Sequence, residues 1–157
     1  MDVDKEKSKL KAAHTVKCRP SAPVKTILLV DDGRSTRLMT KWFLDYSGYV
    51  VHAFSNAQDA LAQFDPRIHD LVVTDNSMSP MTGAEMAHII KMRSPATPVL
   101  MYTGAAPEDQ SCLNAVVQRP APLPVLKDAI DKLLAIAVPQ VTPVEAPPFP
   151  DLQHRKV

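Results

Sequence analysis

Hydrophobic and polar positions along the chain follow two alternating periods. Five short apolar runs, Lys25 to Val30, Tyr49 to Phe54, Leu71 to Val73, Val99 to Met101 and Ala115 to Gln118, have the β-branched character of strands buried in a parallel sheet. Between them the period lengthens to that of a helix. Gly33 to Ser47 places Leu38, Trp42 and Tyr46 at four-residue steps, flanked by Met39 and Phe43, which predicts a helix with one wide apolar face, stopped by Gly48. Ser55 and Gln58 have the spacing of a capping box ahead of Ala57, Ala60, Leu61 and Phe64, and Asp65-Pro66 ends that helix. Thr82 and Glu85 repeat the spacing before Met86, Ile89 and Ile90, and Pro95 and Pro98 bracket the turn into the fourth strand. A final helix is expected with Leu126, Ile130, Leu133 and Ile136 or Ala137 on one face. Alternating strands and helices predict an α/β fold, a doubly wound parallel sheet of five strands with helices on both faces.

The pattern thins between the fourth and fifth strands. Pro107 followed by Glu108 and Asp109 is a good helix start, yet room remains only to about Leu113. The fourth helix is therefore expected to be short or irregular.

Polar groups gather where the apolar runs stop. Asp75 follows the third run, Asp31 and Asp32 the first, Thr103 the fourth, and Arg119-Pro120 the fifth. In open α/β sheets the crevice outside the strands' carboxyl ends is where ligands sit. Carboxylates brought together there repel one another and raise each other's pKa unless a divalent cation neutralises them. Few carboxylates with a phosphate completing the shell suit magnesium.

On these residues the segment from Lys25 to Ala137 resembles the receiver domain of two-component response regulators. That family places an acidic pair after the first strand, a phospho-accepting Asp after the third, Thr or Ser after the fourth and Lys-Pro after the fifth. Met78, Met81 and Gly83 also match its offsets, with the familiar proline displaced by one to Pro80. The resemblance implies a flavodoxin-like fold and a phosphoryl group accepted on Asp75 from a sensor histidine kinase or a histidine phosphotransfer protein. It further implies Mg2+ held by Asp32, Asp75, the Ser77 backbone carbonyl and Asp31, the last directly or through water. Thr103 would be the switch hydroxyl, and Arg119 the cation that the family takes from lysine. Two further departures bear on output. Receivers usually carry an aromatic residue three positions before that lysine, where this chain has Val116, and only fifteen residues lie between Thr103 and Arg119, several fewer than usual. Valine has no large body to swing, so the expected response to phosphorylation is local.

Composition narrows the alternatives. With 18 basic against 17 acidic residues in 157, the chain has no global field to favour nucleic acid or an anionic membrane. Its two cysteines, Cys18 and Cys112, cannot form a framework, no window is long enough to cross a membrane, and the start lacks a signal peptide's apolar core. A cytoplasmic location is the expectation. Residues 1–24 read as a disordered basic arm, 25–137 as the receiver, and 138–157 as a disordered tail with five prolines. The expected molecule is a stand-alone phosphoacceptor, not an enzyme with its own substrate, that signals to an unknown downstream protein. Two rivals remain. A degenerate receiver would serve as an interaction module without phosphorylation. A haloacid-dehalogenase-type phosphatase would need a second Asp two residues after its nucleophile, where Asp75 is followed by Ser77 and the Asp31-Asp32 pair by Gly33.

Overall fold

The computed structural model describes residues 22–137. The tail expected over 138–157 lies outside them, as does the basic arm apart from Ala22 to Val24, which are exposed coil. Nine elements follow in order: β1 (Thr26–Val30), α1 (Arg34–Tyr46), β2 (Val50–Phe54), α2 (Ala57–Gln63), β3 (Leu71–Thr74), α3 (Gly83–Arg93), β4 (Val99–Thr103), β5 (Ala115–Gln118) and α4 (Leu123–Ala137). The strands form one parallel sheet in the order β2-β1-β3-β4-β5. This is the flavodoxin-like doubly wound order.

Successive side chains of a strand point to opposite faces, and here both faces are buried. Ile27 and Leu29 of β1 pack with Leu44 of α1 and with Leu126 and Ile130 of α4. Leu28 and Val30 face the other way, onto Ala60 and Leu61 of α2 and Met86 and Ile90 of α3. Two apolar layers thus clamp one sheet.

Four local details depart from the sequence pattern. Residues 104–114 form turns and bends, so the shortening expected of the fourth helix goes as far as its absence. In its place Cys112 and Leu113 lie half-buried against the α2 and α3 layer. Asn114 anchors the segment, its Oδ1 accepting from the Val99 N–H at 2.9 Å and Lys91 Nζ at 2.8 Å. At α2 the cap is Asn56, one residue later than expected, because Asn56 and Asp59 satisfy each other reciprocally: Oδ1 accepts from the Asp59 N–H and Nδ2 donates to Oδ2. On α4 the third core position is Leu134, with Ile136 exposed. Most telling is α1, where Leu38, Met39, Trp42 and Tyr46 all face solvent while Thr40 and Leu44 face the core. The periodicity of α1 was correct; its apolar side is the outer one.

A buried histidine makes the lower edge of the sheet sensitive to pH. His69 accepts the Asp65 N–H on Nδ1 at 3.1 Å, so its proton is assigned to Nε2, which points at His52 Nδ1 2.9 Å away. Burial, and then the neighbouring His52, push the His69 pKa down, against smaller upward contributions from the Asp65 carbonyl, Asp65 and Asp70. The unfolded chain therefore takes up a proton at higher pH than the folded one. Stability from neutral His69 is complete above the ordinary histidine pKa of about 6.5 and is lost as pH falls below it. Urea unfolding should show a midpoint that drops between about pH 7 and 5, with the drop reduced in His69→Gln.

Candidate functional site

The chain winds in opposite directions from β1 and from β3, and the crevice between their carboxyl ends is the switch point of the sheet. Asp31 and Asp75 are the first residues past those ends. The Asp75 N–H donates to the Val30 carbonyl at 2.9 Å, carrying the pairing of the two strands as far as the acids themselves. Both are nearly sealed, at 4% and 5% exposure, while Asp32 lies exposed at the mouth. Asp31, Asp32 and Asp75 each present an oxygen within 4.8 Å of the others.

Buried charges need partners. Asp75 Oδ1 accepts the N–H groups of Asn76 at 2.7 Å and Ser77 at 3.3 Å, and Oδ2 lies 2.9 Å from Nη2 of Arg119. Asp31 Oδ1 accepts the Gly33 N–H at 2.8 Å, and Oδ2 lies 3.5 Å from Nη1 of the same guanidinium. Arg119 therefore bridges the two sealed carboxylates with its two ends. The fork is held in turn by Tyr102, whose ring centre lies 5.3 Å below the guanidinium carbon and whose hydroxyl donates to the Ala121 carbonyl at 2.9 Å. Thr103 is fully buried. Its hydroxyl donates to the Ala105 carbonyl at 3.2 Å and stands close enough to Asp75 to favour that carboxylate's charge. The Arg119-Pro120 peptide is cis, and the Arg119 N–H donates to the Thr103 carbonyl at 2.8 Å.

These surroundings push the two buried acids apart. For Asp75, burial favours the neutral form, but the Thr103 hydroxyl, the Arg119 guanidinium and the Ser77 N–H outweigh it and lower the pKa. For Asp31, burial wins over the Gly33 N–H and Arg119, and repulsion from Asp75 and Asp32 adds to it, so its pKa is raised. One carboxylate is held ionised beside another that is the easier of the two to protonate.

The loop after β3 is shaped by residues that bear no charge. Asn76 Oδ1 accepts the Ala84 N–H at 3.2 Å and the Asn76 carbonyl accepts the Gly83 N–H at 3.1 Å, while Met78 is buried in the α2 and α3 layer. The Ser79-Pro80 peptide is cis, and Thr82 and Glu85 form the expected capping box at the start of α3. A Cβ on Gly83 would stand 1.9 Å from the Asp75 carbonyl oxygen, so only glycine lets α3 approach the acid this closely.

A parallel sheet of this order is also the architecture of the solved structures that the chain resembles. The family model described as response regulator receiver domain matches residues 27–136. The chain belongs to that family. Its structural relatives include the CheY-like receiver domain protein from Methanospirillum hungatei JF-1, at 26% identity and a TM-score of 0.68, covering 73% of this chain and 96% of that one. The response regulator TrrA from Thermotoga maritima, in complex with Mg(2+)-BeF, is 26% identical with a TM-score of 0.66, covering 70% and 99%. Among curated proteins, the sensor protein EvgS of Escherichia coli K12 is 28% identical over 134 residues, 78% of this chain and 11% of that protein. The transcriptional regulatory protein PhoP of Bacillus subtilis is 31% identical over 90 residues, 57% and 38%. The chain thus spans a minor part of the length of these curated relatives. Receiver domains of two-component systems bind magnesium at an acidic pocket, and the all-oxygen set of Asp31, Asp32 and Asp75 fits that ion.

In this receiver the candidate site residues read from the sequence lie at one edge. Asp31, Asp32, Asp75, Thr103 and Arg119 converge there, and Ser77 is exposed in the loop beside them with its N–H on Asp75. Tyr102 and Asn76 had not been singled out. Tyr102 reads as an ordinary aromatic position of β4, and its role under the guanidinium depends on where β5 delivers Arg119. Asn76 had a faint signal, since Asn after a strand-end Asp commonly bonds to backbone a few residues away. Replacing Gly83 by alanine should force α3 off the end of β3 at a cost of about 1–3 kcal/mol, read as a lowered urea midpoint.

Proposed function

We propose that this receiver accepts a phosphoryl group on Asp75 from a phosphohistidine of a sensor histidine kinase or histidine phosphotransfer protein. The observation that carries the reading is geometric: Asp75 is sealed at the carboxyl end of the central strand β3, with Asp31 and Asp32 beside it, the Arg119 guanidinium 2.9 Å from its Oδ2 and the buried Thr103 on the next strand. An Asp75 carboxylate oxygen forms the new O–P bond, the P–N bond of the phosphohistidine breaks, and the imidazole leaves with the electron pair. Such a loose transfer asks for alignment and charge neutralisation more than for covalent help. Asp32, Asp75, Asp31 and the Ser77 carbonyl would hold magnesium, which supplies positive charge against the incoming phosphoryl oxygens. Arg119, already beside Asp75, offers its fork to those oxygens, and the Thr103 hydroxyl turns from the Ala105 carbonyl to donate to one of them.

Output runs through binding of other proteins and is local. Val116 is half-buried and too small to report by swinging inward, and residues 104–114 form turns with no helix to reposition. Partners then read the loop and the site itself. A phosphorylation-independent interaction module is the second reading, favoured by Arg119 already spanning the acids as a built-in cation.

Incubation with acetyl phosphate and magnesium, followed by intact-mass measurement, separates the two. The full chain should gain one phosphoryl mass and Asp75→Asn none; a gain surviving in Asp75→Asn places the acceptor elsewhere, and no gain in either favours the second reading. Magnesium titrated calorimetrically into Asp32→Ala should bind about ten-fold more weakly or worse. Unchanged affinity removes Asp32 from the ligand set.

A further inference from the structure

Of the groups that meet at the acid cluster, Arg119 has the most bonds to order. Asp31 and Asp75 are each fixed by backbone N–H groups, whereas the guanidinium ends a long side chain with 24% of its surface exposed. Ion pairing alone leaves such a side chain many postures. The posture seen here puts both ends of the fork on the sealed acids. Among the described residues Asp32 enters no ion pair, although it presents an oxygen within 4.8 Å of those of Asp31 and Asp75.

Tyr102 is what restricts the fork. It is only 7% exposed and packs with Leu44, Leu126 and Ile130 in the layer under α1 and α4, so its ring is fixed before Arg119 meets it. The ring centre lies 5.3 Å from the guanidinium carbon, inside the range of about 6 Å over which an aromatic face attracts a cation. Its hydroxyl donates to the carbonyl of Ala121, two residues beyond Arg119, at 2.9 Å. Since the Arg119 N–H donates to the Thr103 carbonyl at 2.8 Å, residues 119–121 are tied to residues 102 and 103 through both backbone and side chain. Register brings this about: Tyr102 stands opposite Val117 and Thr103 opposite Gln118, and Arg119 is the next residue of the chain. Attraction to a ring face has little preference within the plane, so a stacked guanidinium can turn without leaving the ring.

We propose that Tyr102 is a positioning residue for phosphoryl transfer: its ring is the platform on which the Arg119 fork turns from the Asp31 and Asp75 pair to the phosphoryl oxygens, and it holds that fork away from Asp32. This rests on the reading of Asp75 as the acceptor. Tyr102 acts only through Arg119, and no bond of its own is made or broken. Loss of the ring therefore costs what a misplaced guanidinium costs, roughly ten-fold in rate.

Side-chain NMR of the full chain reads the posture of Arg119 without any phosphoryl group. Its δ protons should be shifted upfield by the ring and its Nη protons resolved from one another, because the fork does not spin freely; ordinary, averaged resonances in the wild-type chain overturn the proposal. Tyr102→Phe keeps the ring and should keep both features, whereas Tyr102→Met fills the space with a flexible side chain and should merge the Nη resonances. Resonances still resolved in Tyr102→Met, or merged in Tyr102→Phe, overturn it. Phosphoryl uptake from acetyl phosphate and magnesium, followed by intact mass against time, should slow roughly ten-fold in Tyr102→Met and by less than about two-fold in Tyr102→Phe. In an Arg119→Ala background Tyr102→Met should slow it no further; an equal fall there assigns Tyr102 to core packing alone and overturns the proposal. A wild-type chain that gains no phosphoryl mass overturns the reading of Asp75 instead, and the Nη resonances then decide the role of Tyr102.

Discussion

Two carboxylates nearly sealed from water at the ends of adjacent strands are the constraint on which this molecule depends. At an effective dielectric of about 20, unit like charges some 4–5 Å apart repel by about 3–4 kcal/mol, a large share of a small domain's stability. The Arg119 fork answers that repulsion by reaching Asp75 with one nitrogen and Asp31 with the other. Its position follows from β5, whose register with β4 sets Gln118 opposite Thr103 and so delivers the next residue to the acids. The ring of Tyr102 beneath it and the Ala121 carbonyl that fixes that ring complete the support. Fold and site are coupled in both directions: the sheet creates the electrostatic problem, and the far strand supplies the cation that relieves it.

That cation also shapes what a metal ion meets. A magnesium ion held by Asp31, Asp32 and Asp75 would share Asp31 and Asp75 with a guanidinium, and of the three acids Asp32 is the exposed one. Arginine is always charged and more weakly hydrated than an ammonium, so it neutralises a sealed pair at lower desolvation cost than lysine. A planar fork can keep one nitrogen on Asp75 while the other turns to a phosphoryl oxygen. Arg119 thus compensates both sealed carboxylates in this structure.

What the sequence disclosed and what it concealed divide along physical lines. Strand ends were legible because buried parallel strands stop abruptly where polar groups begin, and the strand-end residues Asp31, Asp75, Thr103 and Arg119 share one edge for that reason alone. Thr82 and Glu85 were legible as a cap because both halves of the contact lie within one turn. Tyr102 was not, since its importance arises from a residue seventeen positions away that only the β4 and β5 pairing brings near. The outer face of α1 was legible as a stripe but not as a surface: periodicity gives the angle between apolar residues, and which side meets the sheet is decided by packing. Thr40 and Leu44 fill the inner side well enough that the larger side chains are left outside.

The segment between β4 and β5 shows that the acid cluster stands without a helix there. Its loss of a helix leaves the core closed, because Cys112 and Leu113 cover the α2 and α3 layer and Asn114 ties the chain to Val99 and Lys91. Nothing in the acid cluster depends on that missing helix: Thr103 is held by β4, and Arg119 is held by β5 together with the Thr103 carbonyl. The electrostatic arrangement of Asp31, Asp75 and Arg119 is therefore independent of a helix in that segment. The exposed apolar stripe of α1 lies on the opposite side of the sheet. The groove lined by Met39, Tyr102 and Leu123 borders α1. Tyr102 belongs to both groove and site, holding Arg119 with its ring and lining the groove with its side, so occupancy of the groove and the posture of the guanidinium share one side chain.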